Sequence, residues 1–199
     1  MVWRALIITS LLMGCVPKDK KANCLYNKSA WGSNISWKGN IPIVLTLHSS
    51  YPPEYIEQLE EAILIWESAV NRNLFILNKE PDRGMRSHPN QDRKSLVYWP
   101  TSWDEFDSNT NALTRMYVVG NTIVEADIAL NGQDHAFFTE YYSTGSIHLT
   151  SVLVHELGHV LGLSHNDHMN SVMYKGLRPA EIKNILSEED VNNLKCEYN

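Results

Sequence analysis

Residues 155–165 read HELGHVLGLSH, and this stretch says more about the fold than any other part of the chain. Its pattern, HExxHxxGxxH, predicts an α-helix that carries His155 and His159 one turn apart, so that both imidazoles project from the same helix face. Gly162 can take a positive φ, which lets the backbone leave the helix and bring His165 back towards the same point. The stretch therefore predicts a site at which three imidazoles hold one metal ion.

Glu156 has a different predicted role from the histidines. It lies about 100° around the helix from His155, which is awkward for coordination but close enough to reach a water on the metal. Three protein ligands also leave one position of zinc open, which is typical of a catalytic site. The alternative is that these are ordinary helix histidines, but five fixed positions in this order rarely arise by chance. We therefore predict one catalytic Zn²⁺ bound by His155, His159 and His165, with Glu156 as the general base.

A second motif narrows the comparison with known families. The stretch 155–165 resembles the zinc-binding signature of metzincin metalloproteases. Met173, eight residues after His165 in the sequence SVMY, resembles the Met-turn that packs beneath the zinc of these enzymes. The two motifs together resemble the matrixin branch, which implies zinc-dependent hydrolysis of internal bonds in a protein or peptide substrate. Matrixins usually carry proline where Lys175 stands, so the pocket wall beside the Met-turn departs from the family pattern.

The rest of the chain predicts a single α+β domain over residues 41–199. Residues 41–48 form an apolar run typical of a buried strand, and a 3–4 residue apolar spacing predicts a helix from Ile56 to about Asn71. We expect short strands at 74–77 and 96–99, a loop at 79–94, and a hairpin of strands 114–119 and 122–130 that turns at Gly120-Asn121. A helix from Thr150 to Leu161 carries the histidines. A capping-box-like pattern at Ser187 opens a last helix. These elements predict a mixed twisted sheet with about three helices.

The resemblance to matrixins implies three further features. The segment 124–130, with Ala126, Asp127 and Ile128 at its centre, resembles the edge strand that borders the matrixin cleft and would bind an extended peptide. An inner, fully paired strand is the alternative. Asp190 matches an acidic residue that ties the last helix to the Met-turn. Because only about twenty residues separate strand and active-site helix, we expect neither calcium nor a second zinc, although Asp134, His135 and His148 lie in that gap.

The N-terminus predicts export and a lipid anchor. A short start with Arg4 precedes an apolar run from Ala5 to Met13, which is too short to span a bilayer but right for a signal peptide. The sequence LMGC that ends at Cys15 resembles the lipobox of bacterial lipoproteins. We therefore expect residues 1–14 to be a signal peptide and Cys15 to be lipidated, with 15–40 as tether and N-terminal segment. Val16, rather than Asp, follows the cysteine, which in a Gram-negative envelope resembles the pattern sent on to the outer membrane. We therefore expect a lipoprotein of the bacterial cell envelope, on the periplasmic or surface side of the outer membrane, unless the signal is an ordinary secretory one.

Cys24 and Cys196 remain as an even number of cysteines in an exported chain, which favours a disulfide. In matrixin-like folds the start of the domain lies against the last helix, so the resemblance also fits this pair. The alternative is that Cys24 is an inhibitory zinc ligand, as in the matrixin propeptide switch, but the switch motif is absent around it. A bridge over so long a loop would stabilise the fold by about 4–5 kcal/mol.

Composition excludes some partners. The chain has 17 basic and 23 acidic side chains and no basic stripe, which argues against nucleic-acid binding. No second apolar run is present, so we expect membrane contact only through the anchor, and we expect a monomer. Three other functions stay open: a catalytically silent zinc lipoprotein that serves binding or adhesion, a zinc hydrolase of non-protein amides such as peptidoglycan stems, and a zinc-buffering protein, which would not need a general base.

Overall fold

The computed structural model describes residues 24–84 and 88–199. The predicted signal peptide, Cys15 and the start of the tether lie outside these residues. Within the described ranges, no helix combines the length and the apolar character that crossing a membrane requires. The main elements follow in chain order: β1 Ile43–His48, α1 Ile56–Val70, β2 Phe75–Asp82, β3 Ser95–Tyr98, β4 Ala112–Val119, β5 Thr122–Leu130, β6 Phe137–Phe138, β7 Ile147–His148, α2 Leu149–Val160 and α3 Glu188–Tyr198.

Five strands form one mixed sheet in the order β2-β1-β3-β5-β4. The neighbours β2, β1, β3 and β5 are parallel, and β4 pairs antiparallel with β5 through the predicted hairpin. The two-stranded β6–β7 pair is separate from this sheet. The α+β class, the mixed sheet and three helices are thus confirmed.

The prediction that segment 124–130 is the edge strand is wrong, because the other strand of the hairpin, β4, lies at the edge. β5 pairs with β3 on one side, where Ile128 lies opposite Val97, and with β4 on the other, where Ala126 lies opposite Met116. Asp127 is fully buried on this strand. Because both rows of backbone groups of β5 are used within the sheet, a peptide cannot add itself there. Within the part of the chain that the structure describes, β4 is the hairpin strand at the edge of the sheet, and β2 lies at the opposite edge.

Helix α1 covers one face of the sheet and packs against α2. Its apolar stripe buries Leu59, Ile63 and Trp66, as the spacing predicts. The indole N–H of Trp66 donates to the carbonyl of Val154 on α2 at 2.8 Å, so the large ring is buried without an unpaired polar group. The helix ends at Asn71, which takes the left-handed conformation with φ 49°. This packing fixes the helix that carries the histidines.

The segment that precedes β1 belongs to the same core. Tyr26 and Trp37 are 2% and 6% exposed. The indole N–H of Trp37 donates to the carbonyl of Val160, at the end of α2, at 2.8 Å. Cys24 forms the predicted disulfide with Cys196 of α3, with a Cα–Cα distance of 6.4 Å. The N-terminal segment is therefore fastened to both α2 and α3.

The other face of the sheet is covered by loops. A small apolar cluster of Leu96, Tyr98, Trp103 and Ala129 forms there. The loop expected at 79–94 begins later than predicted, because β2 continues to Asp82, which pairs with His48 of β1. Parallel pairing with β1 extends this strand through polar residues that carry no apolar signal.

Candidate metal centre

The three predicted ligand histidines meet at one point. His155 and His159 lie on α2, and the chain leaves the helix at Gly162, whose φ is +93°. A Cβ at position 162 would lie 2.3 Å from the carbonyl oxygen of Ile35, so the turn needs glycine for space as well as for conformation. His159 Nε2 lies 3.1 Å from Nε2 of His155 and 3.2 Å from Nε2 of His165. In the described ranges this is the sole group of three or more histidine, cysteine or acidic side chains spaced to hold a metal.

Backbone carbonyls set which ring nitrogen of each helix histidine is free. His155 Nδ1 lies 2.7 Å from the carbonyl oxygen of Val172, and His159 Nδ1 lies 2.9 Å from that of Leu163. A carbonyl can only accept, so each Nδ1 carries the proton and each Nε2 presents its lone pair. Both rings are therefore oriented as metal ligands.

Burial keeps these imidazoles neutral. It lowers the pKa of His155 and of His159 to about 4, and it also lowers the pKa of His165. Zinc–nitrogen bonds of about 2.0–2.1 Å around a tetrahedral ion require ligand nitrogens about 3.3–3.4 Å apart. The two observed separations of 3.1 and 3.2 Å are within a few tenths of that spacing. Neutral nitrogen donors at this distance fit Zn²⁺.

Glu156 lies beside the histidines and is held by the edge strand. Its carboxylate Oε2 accepts a hydrogen bond of 2.6 Å from the hydroxyl of Thr114 on β4. The side chain is 5% exposed, and burial raises the pKa of Glu156. The hydrogen bond from Thr114 acts in the opposite direction because it stabilises the charged form. Sequence reasoning missed Thr114, since nothing local links a strand threonine to a glutamate on a distant helix.

The Met-turn packs against α2 as the resemblance implies. Met173 is 2% exposed, and a Cβ on Gly158 would lie 2.2 Å from its sulfur. Asp190 fixes the position of the turn. Its carboxylate accepts hydrogen bonds from the hydroxyl of Ser171 and from the backbone N–H of Val172. The predicted tie between Asp190 and the Met-turn is confirmed, and so is the capping box at the start of α3.

An open cleft of about 610 Å³ runs past these residues. β4 supplies one wall with Ala112, Thr114 and Met116, and the segment after Met173 supplies another with Tyr174 and Lys175. Lys183 also lines the cleft, although the sequence offered no reason to place it there. The candidate metal centre is therefore accessible to a large ligand along the sheet edge.

The other candidate ligands lie apart and have other partners. His148 caps α2, where its Nδ1 accepts from the backbone N–H of Ser151 at 3.3 Å. His135 Nε2 donates to the carbonyl of Ser108 at 2.9 Å. Asp134 accepts from the side-chain amide of Asn131 at 3.0 Å. These three side chains each stabilise a local loop or helix end.

Comparison with known proteins agrees with this geometry. Metalloendoproteinase 4-MMP of Arabidopsis thaliana is 41% identical over 61 residues, which are 31% of this chain and 18% of that protein. Metalloendoproteinase 1-MMP of the same plant is 30% identical over 125 residues, 50% of this chain and 34% of its own length. Metalloendoproteinase 1 of Glycine max is 36% identical over 55 residues, 28% and 18% of the two chains. The chain thus spans a minor part of these relatives.

The family match covers about half of the chain. The model of the matrixin family, peptidase family M10, matches residues 99–199. That range begins just after β3 and includes the edge strand, all three histidines, Glu156 and the Met-turn. This chain belongs to the matrixin family of metzincins.

Proposed function

We propose that the protein is a zinc-dependent endopeptidase that cleaves peptide bonds in protein substrates. The observation that carries this proposal is the convergence of three Nε2 atoms beside a buried glutamate in an open cleft. Membership of the matrixin family and similarity to plant metalloendoproteinases support it. His155, His159 and His165 would hold the zinc. The bound ion supplies a Lewis acid that lowers the pKa of water and polarises a carbonyl.

Glu156 performs the proton transfers in this proposal. Its carboxylate accepts a proton from the attacking water and returns it to the amine that leaves, so one side chain serves as base and then as acid. The hydrogen bond from Thr114 fixes the orientation of one oxygen and leaves the other available. Burial raises the pKa of Glu156, which makes it a stronger base than an exposed glutamate. General-base assistance of this kind contributes about 10²–10⁴-fold to the rate.

The edge of β4 would bind the substrate backbone. Among residues 24–84 and 88–199 this strand pairs with β5 alone, and its other side borders the cleft. An extended peptide that adds to such an edge gains main-chain hydrogen bonds whatever its side chains are. The thirteen residues 99–111 connect β3 to β4 and form a loop outside the sheet.

A lipid anchor in the cell envelope is part of the proposal. It is supported by Arg4, by the apolar run 5–13 and by Cys15 in its lipobox-like sequence. Metabolic labelling with a palmitate analogue should label the parent protein and leave a Cys15→Ala variant unlabelled. Labelling of both proteins, or of neither, would contradict the anchor without bearing on peptidase activity.

Substitution of Glu156 by glutamine tests the enzymatic function. The isosteric change removes the base while leaving all three ligands in place. We expect Glu156→Gln protein to retain one equivalent of zinc and to lose about 10²–10⁴-fold in kcat/KM on a quenched peptide. A chelator should abolish the parent activity, and added zinc should restore it. Full activity in the folded, zinc-loaded variant would refute the mechanism, and absence of cleavage by the parent would favour a binding lipoprotein instead.

A further inference from the structure

The cleft carries positive charge in a chain that is negative overall. The formal net charge is −6. Lys175 and Lys183 line the cleft, and among its described lining residues Glu156 is the sole acidic side chain. Glu156 is held by Thr114 and assigned to proton transfer. The charge of the remaining wall is therefore opposite in sign to that of the protein as a whole.

Lys183 is built into the floor of the cleft. Its backbone N–H donates to the hydroxyl of Ser151 at 2.7 Å, and Ser151 lies one turn before His155 on the same face of α2. Its ammonium lies 4.9 Å from the ring centroid of Tyr174, the residue that follows Met173. The side chain is 12% exposed. Lys183 is thus a fixed charge between α2 and the segment after the Met-turn, next to the metal ligands.

The ion-pair partner of Lys183 lies outside the cleft wall. Glu181 Oε1 is 3.2 Å from the ammonium nitrogen, while Glu181 itself is absent from the described residues that line the cleft. The second oxygen of Glu181 accepts the backbone N–H of Arg178 at 3.0 Å, which holds the carboxylate in place. An ammonium has three donors. Glu181 uses one of them, which leaves donors for an oxygen that enters from the cleft.

From these contacts, and resting on the proposed endopeptidase function, we infer that Lys183 forms a subsite for an acidic side chain of the substrate beside the cleaved bond. A glutamate or aspartate there would form a charge-assisted hydrogen bond with an ammonium that is largely shielded from solvent. Shielding makes this pair stronger and less sensitive to salt than a pair on an exposed surface. A glutamine of the same shape lacks the charge and gains less.

Two pairs of peptides test the subsite, and the members of each pair differ only in charge. Quenched substrates would carry Glu or Gln at each of the two positions that flank the cleaved bond. We expect the parent to show about a 10-fold higher kcat/KM for the Glu peptide at one of these positions. Lys183→Met should reduce this ratio to about 2 or less, Lys183→Arg should keep it above the Lys183→Met value because the positive charge remains, and Lys183→Glu should invert it.

Two further lysine variants distinguish a specific contact with Lys183 from a general effect of positive charge on substrate binding. Lys79 forms an exposed pair with Glu60 at 2.6 Å and is outside the cleft, so Lys79→Met should keep the parent ratio. Lys175→Met removes the other cleft lysine. An equal fall of the ratio in Lys175→Met and Lys183→Met would overturn the assignment to Lys183. Thermal unfolding of each variant identifies any that fails to fold, in which case the Lys183→Arg and Lys183→Glu proteins decide.

Failure of the inference is distinct from failure of the proposed function. Equal cleavage of Glu and Gln peptides by the parent would overturn the acidic subsite and leave the peptidase intact. No cleavage of either peptide would refute the peptidase. In that case fluorescence anisotropy with zinc-loaded Glu156→Gln protein still measures the subsite. About 10-fold tighter binding of the Glu peptide would support it, and equal binding would overturn it.

Discussion

The carboxylate of Asp190 accepts a hydrogen bond of 3.1 Å from the backbone N–H of Val172 and so ties the start of α3 to the metal centre. The carbonyl of Val172 in turn accepts the Nδ1 proton of His155 at 2.7 Å. The same carboxylate oxygen accepts the backbone N–H of Ser187 at 2.9 Å, as the N-terminal cap of α3 requires. One buried acid therefore holds a helix end, a turn and, through the turn, the ring of a metal ligand.

Removing the Asp190 carboxylate should weaken both the fold and the zinc site. Asp190→Ala leaves the N–H groups of buried Val172 and half-buried Ser187 without this acceptor, which costs about 2–4 kcal/mol of unfolding free energy. It also frees the carbonyl that orients His155, which should reduce zinc affinity about 10–100-fold. Urea unfolding and competition with a chelating dye measure these two changes.

Glu188 provides a matched control on the same helix. It is exposed in the first turn of α3, so Glu188→Ala should change stability by no more than about 0.5 kcal/mol and leave zinc affinity unchanged. Parent-like zinc affinity in folded Asp190→Ala protein would show that the Met-turn keeps its position without the carboxylate.

We predict that position 158 must be glycine, because Met173 packs directly against it. A Cβ there would lie 2.2 Å from the sulfur of Met173 and 3.0 Å from the ring of Trp66, which is buried. Alanine gains about 1 kcal/mol of helix propensity over glycine. Overpacking of a dense core costs more, so we expect Gly158→Ala to lower the free energy of unfolding by about 1–2 kcal/mol overall.

A double-mutant cycle isolates this contact. Met173→Ala removes the atoms that clash, so the double variant should be more stable than the sum of the two single changes predicts, by about 1 kcal/mol. Gly39, around which an added Cβ meets no atom within 4 Å, serves as the control, and Gly39→Ala should be close to neutral. A Gly158→Ala protein more stable than the parent would mean that Met173 moves at little cost.

Local signals predicted most of the fold and the convergence of His155, His159 and His165. The motif 155–165 encodes its own geometry, because helix periodicity aligns His155 with His159 and the glycine ends the helix. The apolar spacing of α1 and the cap of α3 are equally local. Features of this kind depend on residues close together in the chain, and a single sequence displays them directly.

Local sequence signals could not predict the order of the strands or the contacts across the cleft. The hairpin β4–β5 was predicted, but which of its strands faces outward depends on whether β3 pairs with β4 or with β5, and both are apolar enough to be inner strands. The error at Ala126, Asp127 and Ile128 has this origin. Thr114 and Lys183 were missed for the same reason, since tertiary folding alone brings them to the cleft.

We predict that the hydrogen bond from Thr114 lowers the pKa of Glu156 and so affects its role in catalysis. Thr114→Val is nearly isosteric and removes the 2.6 Å hydrogen bond to Oε2. The bond stabilises the charged carboxylate, so its loss should raise the pKa of Glu156 further and move the acidic limb of the kcat/KM profile to higher pH. We expect kcat to fall about 10-fold while the zinc content stays at one equivalent.

Thr46→Val is the control for Thr114, because Thr46 also lies on a strand but does not line the cleft. Its pH profile should match that of the parent. An unshifted acidic limb in Thr114→Val would show that the threonine acts on the fold alone.

Asp127 should make stability depend on pH in a defined direction. Burial raises the pKa of Asp127 to about 7, even though its carboxylate accepts backbone N–H groups of Leu96 at 2.9 Å and Asn90 at 3.1 Å. In the unfolded chain the pKa is about 3.9. A raised folded-state pKa gives stability that is complete below about pH 4 and is lost as the pH rises through about 7. Asp127→Asn removes this dependence, so the stability of the variant relative to the parent should improve by about 1–3 kcal/mol between pH 5 and pH 8.

Chemical unfolding of both proteins at the two pH values measures the change, and the histidine contributions, common to both, cancel in the difference. Val97→Ala is the control, because Val97 pairs with Ile128 beside Asp127 and carries no titratable group. Its cost should be the same at both pH values. A parent–Asp127→Asn difference that stays constant within about 0.5 kcal/mol would mean that the carboxylate is ionised throughout this range, held in that state by the two backbone N–H groups.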